Sequence, residues 1–469
     1  LSSRQTPLGF AKVGTLMSVA PSSTLTVTTA RPTELSGWGC IGRPGRELLS
    51  EDLEAASQDV VLTRGLGRSY GDSSLPAAPE HKVLATRLAN RILSLDEKSQ
   101  VIRCEAGVSL AELNRLLMPR GLFVPVTPGT KFVTVGGMVA SDVHGKNHHR
   151  AGCFGAHVQS LRMRIADGSV VDCGPQQHSD LFWAAVGGMG LLGHILEVEF
   201  RMDSIPSPWI WAENQRVDSI DEYLAALSEA APKWPMTVGW IDCLNQGKGM
   251  GRGILTAGRW AQAEEAPARP PSIPRSKTVP LNFPNWAINN LTVQAFNSLY
   301  YWKTWRRKSS GLMTPEAFFY PLDALLHWNR VYGSRGFTQH QCVLPRSAGP
   351  EAVREFLKLL TQEGCASPLC VIKDCGPQGQ GLLSFPMEGT SIAVDIAVTP
   401  NIEQTVARLN EFVISAGGRI YLTKDQFTRR EHFVAMEPRL PAFLSARQTW
   451  DPQQKFKSAQ SVRLMGDRV

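Results

Sequence analysis

Between Pro125 and His157 the chain reads PVTPGTKFVTVGGMVASDVHGKNHHRAGCFGAHV. A Thr-Val-Gly-Gly turn at Thr134–Gly137 is followed by small residues and then by a polar loop bearing His144, Lys146, His148 and His149. Glycines let a backbone approach a ligand closely, and amides exposed in such turns hold phosphate. A second glycine turn lies upstream. The apolar run Val60–Leu62 leads into Arg64-Gly65-Leu66-Gly67-Arg68-Ser69-Tyr70-Gly71-Asp72. A strand running into a glycine turn is the right context for a nucleotide-cradling loop. Two glycines separated by one residue are a weak signal alone, but the polar, His- and Lys-bearing loop reads as a site and not as core, and what it binds depends on the rest of the chain.

The elements around them are short. Two β segments are expected over 91–105, then a helix opened by the capping box Ser109–Glu112 with Leu113, Leu116 and Leu117 at helical spacing. A strand is expected over Leu122–Val126, a hairpin over Leu161–Cys173 turning at Asp167-Gly168, a helix capped by Ser179, and an alternating strand over Ile195–Phe200. No βαβ alternation of the Rossmann kind is visible, so the class is α+β. At 469 residues the chain exceeds one ordinary core, so two domains are expected. Past residue 205, Ser219-x-x-Glu222 caps a helix, 262–284 is a Pro-rich, charged loop expected to be mobile, and helix, strand and helix follow near 350–363, 391–398 and 403–416. The domain reading is a flexible segment over 1–35, a first domain over 36–205, a second over 206–418, and a C-terminal segment, 419–469, returning to the first.

Composition narrows the function classes. Hydrophobic residues make up 43% and charged residues 19%, which describes a globular protein. No apolar run is long enough for a transmembrane helix, and the first 16 residues lack the apolar middle of a signal peptide. Nine scattered cysteines without a C-x-x-C pair read as reduced, mostly buried thiols. A net charge of +7 fits either an ordinary basic surface or attraction to phosphate or an anionic membrane face, and gives no reason to propose nucleic acid. Residues 299–308 (LYYWKTWRRK) are either a packed aromatic segment with a solvated basic end or a surface resting on lipid headgroups. Adjacent His148 and His149 have no acidic partner spaced for a metal, and none is expected.

Taken in order, Arg64-Gly-x-Gly-Arg-Ser-Tyr-Gly-Asp72, Pro128-Gly-Thr130, Thr134-Val-Gly-Gly137, His144-Gly-Lys-Asn147 and Gly187-Gly-x-Gly190 resemble the FAD-binding domain of the vanillyl-alcohol oxidase (PCMH-type) superfamily. The longer string DVHGKNHH, an early Ser-Gly-Trp-Gly, Gln339-His-Gln341 and Tyr421-x-x-Lys424-Asp425 are similar to the decaprenylphosphoryl-β-D-ribose 2′-oxidase family within it. The resemblance covers about Ser36 to Leu464. It implies a two-domain flavoprotein with an antiparallel-sheet substrate domain.

It also implies residue roles. Cofactor contacts fall on Arg64, Gly65, Leu66, Gly67, Arg68, Ser69, Tyr70, Gly71, Asp72, Gly129, Thr134, Val135, Gly136, Gly137, His144, Gly145, Lys146, Asn147, Ile195 and Tyr421. Tyr70, His144 and Lys424 would surround the reacting sugar. Lys424 would act as base if its pKa is lowered, or hold a phosphate or hydroxyl if not. His144 is either a flavin-edge residue or a satisfied structural histidine. Lys146, Trp240, Phe319, Gln339, Gln341, Lys373 and Ser391 would form the substrate pocket. Arg68 stands where relatives with covalent FAD often carry His, so tight, non-covalent FAD is implied.

The implied reaction oxidises the 2′-hydroxyl of a polyprenylphosphoryl ribose. It is the first step toward the arabinofuranose donor of cell-envelope polysaccharide, completed by an NAD(P)H-dependent short-chain reductase. Peripheral association with the inner membrane, on its cytoplasmic or periplasmic face, is implied as well. An alditol or aldonolactone oxidase using oxygen is the alternative on the same fold, and a flavin-binding partner protein without turnover is the alternative outside catalysis. Ala393 and Ser391 replace a Cys and an Asn, and Phe319 a Tyr, of mycobacterial members, which leaves the exact substrate open.

Overall fold

The computed structural model describes residues 31–272 and 275–469. Of the flexible segment expected over 1–35, residues 1–30 lie outside this range. Arg31–Ser36 is instead a strand paired antiparallel with Gly42–Leu49, so regular structure begins before Ser36. A four-stranded sheet follows, in which Lys82–Ala85 runs parallel to both Gly42–Leu49 and Leu62–Arg64. A five-stranded antiparallel sheet is ordered Ile92–Asp96, Val101–Glu105, His194–Arg201, Val158–Arg164, Val170–Cys173. The third sheet is antiparallel and eight-stranded: Lys308–Met313, Ile210–Val217, Gly253–Trp260, Met236–Ile241, Cys370–Cys375, Gly389–Ala397, Phe337–Pro345 and Arg419–Ile420. Such a mixture of antiparallel sheets and separate helices is an α+β architecture.

The eight-stranded sheet owes its function to period-2 alternation. Ile372, Ile392, Val394, Cys342 and Leu344 point to one side and are fully buried against Val353, Phe356, Leu360, Leu409 and Val413. Those partners come from the helices Gly349–Gln362 and Ile402–Ser415. Gln339, Gln341, Lys373, Ser391 and Ala393 alternate with them and line a cavity on the opposite face.

Several local expectations change in the tertiary setting. Thr134–Gly137 is not a simple turn: Thr134 caps a helix, Val135–Ala140, its hydroxyl accepting from Gly137 N–H at 3.3 Å. Ser179 is the first residue of the helix Ser179–Ala185, and His178 in the left-handed region precedes it as the cap position. The strand expected over Leu122–Val126 stops at Phe123, because Pro125 has no N–H to extend the pairing with Asp203–Ser204. The loop 262–284 is stitched down near its end: Lys277–Thr278 pairs with Leu325–Leu326, and Arg330 donates to the carbonyls of Val279 and Pro280 at 2.9 Å. The capping box at Ser109 and Glu112 forms as read. All nine cysteines are free, eight of them buried. No helix among the described residues is long and apolar enough to cross a membrane.

The C-terminal helix Ala459–Met465 packs back onto the first glycine turn. Arg463 donates to Asp72 Oδ1 at 2.7 Å and Oδ2 at 3.1 Å, and to Asp425 Oδ2 at 2.9 Å. Both carboxylates are buried, so removal of the guanidinium strands two charges away from water. Arg463→Leu is expected to destabilise the fold by about 3–5 kcal/mol, read as a fall in the urea midpoint. A loss below about 1 kcal/mol, the range of an exposed pair, would sink this account.

Candidate active site

A single cavity of about 1630 Å³ runs between the glycine turns and the inner face of the eight-stranded sheet. It exceeds the roughly 300–1,000 Å³ of an ordinary small-ligand pocket, leaving room for a dinucleotide and a second ligand together.

One end is made of backbone. Gly65–Ser69 leaves the strand Leu62–Arg64, and the N–H groups of Leu66 to Ser69 meet no protein acceptor among the described residues. Gly67 has φ +65°, a conformation that favours glycine, and Gly65 abuts the Thr134 hydroxyl so closely that a Cβ would collide with it. The two turns therefore touch. Trp38 N–H donates to the Ser69 carbonyl at 2.8 Å and Gly39 N–H to that of Tyr70 at 3.0 Å, which clamps the turn from outside. The Arg68 guanidinium lies 3.9 Å from the centre of the Trp38 ring and 5.2 Å from that of Phe132, with Nε buried and unpartnered. Unpaired amides, a cation and a close-packed glycine turn fit the pyrophosphate of FAD, whose two negative charges need such donors.

The other end is made of side chains. His144 is buried, and its Nε2 accepts from the Gln341 amide at 3.0 Å, while that amide also reaches Ser391 Oγ at 3.3 Å. Nδ1 is buried without a protein partner, so this network puts the ring proton there. Burial, then Lys373, His148 and Lys424, hold the imidazole well below its usual pKa, so it stays neutral. Lys146 donates to the Phe319 carbonyl at 3.1 Å, and burial with Lys373 pushes its pKa down to about 7. Lys424 rests 3.6 Å from the centre of the Tyr70 ring. Lys373 and Lys424 form no ion pair within 4.0 Å among the described residues, and burial lowers the pKa of both. The Tyr70 phenol is pushed well up by burial and by Asp395, so it remains a donor.

Most of the residues expected at the site line this cavity: Gly65, Leu66, Gly67, Arg68, Ser69, Tyr70, Gly129, Thr134, Gly136, Gly137, His144, Gly145, Lys146, Ile195, Trp240, Phe319, Gln339, Gln341, Lys373, Ser391, Tyr421 and Lys424. Five do not. Arg64 turns behind the loop to the Ser36 carbonyl at 2.5 Å and to Ser74. Asp72 belongs to the Arg463 network, Asn147 donates to the Pro125 carbonyl at 2.8 Å, and Gly71 and Val135 are packed behind the wall. His148 and His149 diverge, the first accepting from Gly376 N–H and the second bonding the Trp234 carbonyl.

Asp395 was missed from the sequence. It is fully buried, accepts from Gln339 Nε2 at 2.5 Å and from the Tyr332 hydroxyl at 3.2 Å, and faces Lys424. Burial pushes its carboxyl up while burial pushes the Lys424 ammonium down, so the pair can share one proton between them. Its place two residues beyond Ala393, on the same strand face as Ser391, was the available signal.

The family of FAD binding domains matches residues 51–174. The chain is 36% identical over 466 residues to the decaprenylphosphoryl-β-D-ribose oxidase of Mycolicibacterium smegmatis, covering 93% of this chain and 99% of that one. It is 30% identical to an uncharacterised Streptomyces coelicolor protein from the mprA 5′ region, over 76% of this chain and 100% of that protein. The mouse L-gulonolactone oxidase is 35% identical over 32% of this chain and 34% of its own length. FAD is thus the cofactor, and the chain belongs to the decaprenylphosphoryl-β-D-ribose oxidase family of FAD-dependent oxidoreductases.

Proposed function

We propose that this protein oxidises the 2′-hydroxyl of a polyprenylphosphoryl-β-D-ribose to the 2′-keto sugar. One observation carries the substrate class. Lys146, Lys373 and Lys424, none in an ion pair within 4.0 Å among the described residues, line a cavity whose more exposed walls include Phe283, Phe296, Trp305, Leu325 and Trp328. An anionic sugar phosphate with an apolar tail matches that order of charge and grease. A neutral lactone or alditol would leave the lysines facing one another. The near full-length similarity to the mycobacterial oxidase supports the same substrate.

FAD, when bound, supplies the acceptor for the hydride that leaves C2′. The protein's own groups then have divided tasks. His144 is neutral, and its Nε2 lone pair is already engaged by Gln341, so it positions and does not abstract. Tyr70 keeps its proton and offers a hydroxyl. Lys424, in its neutral form, takes the 2′-hydroxyl proton at Nζ, and Asp395 beside it stabilises the ammonium that results. Lys373 and Lys146 hold the phosphodiester. The Trp240 ring, fixed by its N–H to the Pro368 carbonyl at 3.0 Å, walls the sugar side. The keto product would pass to an NAD(P)H-dependent reductase, and the lipid tail implies association with a membrane.

Anaerobic stopped-flow bleaching of the flavin separates these roles. Lys424→Met is expected to slow flavin reduction by about 10²–10⁴-fold with a small change in KM. Lys373→Met is expected to raise KM by about 10–100-fold, the worth of one charge-assisted hydrogen bond, and to leave the limiting rate within a few-fold. The opposite pattern would exchange the two roles. Efficient bleaching by free xylitol or a lactone, with none by the lipid-linked ribose, would sink the substrate.

The pH dependence has two opposing arms. The Lys146 cation exists fully only below its pKa of about 7, so affinity for the phosphodiester weakens as pH rises through that value. The neutral Lys424 base is depleted as pH falls, so the limiting reduction rate moves the other way. A rate and an affinity that rise together with pH would contradict this. With Arg68 in place of a histidine, acid precipitation of the holoenzyme is expected to release all FAD into the supernatant. A yellow pellet would show a covalent bond elsewhere.

A further inference from the structure

Helix Asn290–Lys303 leaves most of its large apolar side chains exposed. Its inward face carries Val293, Asn297 and Tyr301, all buried. Asn297 is fully buried and donates to Asp242 Oδ1 at 2.9 Å and to the Ser367 carbonyl at 3.3 Å, and the Tyr301 hydroxyl donates to Asp218. Polar bonds therefore fasten the helix to the protein. Its outward face is apolar: Leu291 and Leu299 are 76% and 75% exposed, and Trp302 is exposed beside them. Leu281 and Trp286, in the segment leading into the helix, are 74% and 73% exposed. Of the 17 large hydrophobic side chains exposed among the described residues, nine lie between residues 281 and 305. Scattered exposed hydrophobics are ordinary, whereas a concentration in one segment marks a surface meant to be covered.

Charge identifies the cover. Residues 266–315 contain seven Lys or Arg and no Asp or Glu, leaving 42 cations against 42 anions in the rest of the chain. The whole net charge of +7 is thus carried by the segment that bears the exposed hydrophobics. Arg307 is paired with Asp218 and Glu222, but Lys303, Arg306 and Lys308 have no acidic partner among the described residues. Tryptophans and leucines beside unpaired cations, with no acidic residue to select a protein partner, are the composition of a surface that lies in an anionic membrane interface. The same segment walls the cavity mouth through Phe296, Tyr300 and Trp305, and Tyr300 meets Trp240 edge-on with ring centres 4.7 Å apart.

We propose that residues 281–308 dock the protein onto an anionic lipid bilayer, with the cavity mouth set in the interface so that a sugar phosphate enters while its prenyl tail stays in the lipid. This deepens the substrate reading above and rests on it for the identity of the tail, while the docking itself is measured without turnover.

The test uses the full-length, FAD-loaded protein and flotation with vesicles of mixed phosphatidylglycerol and phosphatidylcholine, against vesicles of phosphatidylcholine alone. The wild type is expected to float with the anionic vesicles and to be released by high salt. Trp286→Ser/Leu291→Ser/Leu299→Ser, whose side chains lie outside the cavity, is expected to lower the bound fraction about tenfold or more. Its flavin spectrum, melting temperature and flavin reduction by a water-soluble, short-prenyl phosphoryl ribose should match the wild type. Should the triple variant not fold, Leu281→Lys is read in the same assay.

Undiminished flotation of a folded variant, or absence of wild-type flotation, overturns the proposal. A wild type that self-associates in solution through this face, and loses that association in the variant without vesicle binding, assigns the face to a second copy and also overturns it. Flotation with no bleaching by any lipid-linked sugar would indict the substrate and leave the docking surface standing.

Discussion

Lys146, Lys373 and Lys424 line one cavity, and the buried carboxylate of Asp395 faces Lys424. Half-buried ammonium groups that face one another are costly, because each lowers the stability of its neighbour's charged form. Burial lowers the pKa of all three lysines, and the Lys373 charge adds to the depression at Lys146 and at Lys424. Nothing in folding alone recommends such a cluster. It persists because the strand carrying Lys373 is held by apolar contacts on its other face, and because the Lys424 loop is pinned through Asp425 to Arg463 and Asp72. An anionic ligand placed among them would favour their charged forms, so in the proposed reaction binding and pKa are linked.

The two sides of the cavity supply different chemistry. The glycine turns offer backbone amides, which hold charge without titrating. The sheet offers long side chains, which titrate and reach. The glycine turns and the inner face of the eight-stranded sheet line the same cavity. Tyr70 and Lys424 show how closely they are joined. Tyr70 N–H donates to the Thr423 carbonyl at 2.9 Å, so the end of the first glycine turn is hydrogen-bonded to the loop that carries the lysine.

Much of this was legible from the residues. The capping box at Ser109, the alternation in Ile195–Phe200, and the helices near 350–363 and 403–416 depend on local chemistry, and each formed close to where it was read. The glycine motifs and the His144, Gln339, Gln341, Lys373 and Lys424 positions were legible only together, by their resemblance to one family, since each alone is an ordinary residue. Arg64, Asp72 and Asn147 were read as ligands from their place in the motifs and proved to brace them from behind, because a motif records proximity in the chain and not the direction of a side chain. Asp395 could have been found from the period-2 register with Ser391 and Ala393. The outward face of helix Asn290–Lys303 was open between two readings, since its apolar positions look the same whether they are packed or exposed.

The sequence by itself determined the α+β class, glycine turns able to hold a phosphate, the concentration of positive charge in one acid-free segment, and the absence of a histidine at position 68. These follow from residue identity and short-range spacing. Only the tertiary structure decided that three lysines share one cavity, that Asp395 faces Lys424, that His144 has its Nε2 engaged, and that the aromatic helix turns its greasy side outward at the cavity mouth. Those depend on contacts between residues far apart in the chain. Burial and charge proximity, which set their pKa values and their roles, exist only once the chain has closed on itself.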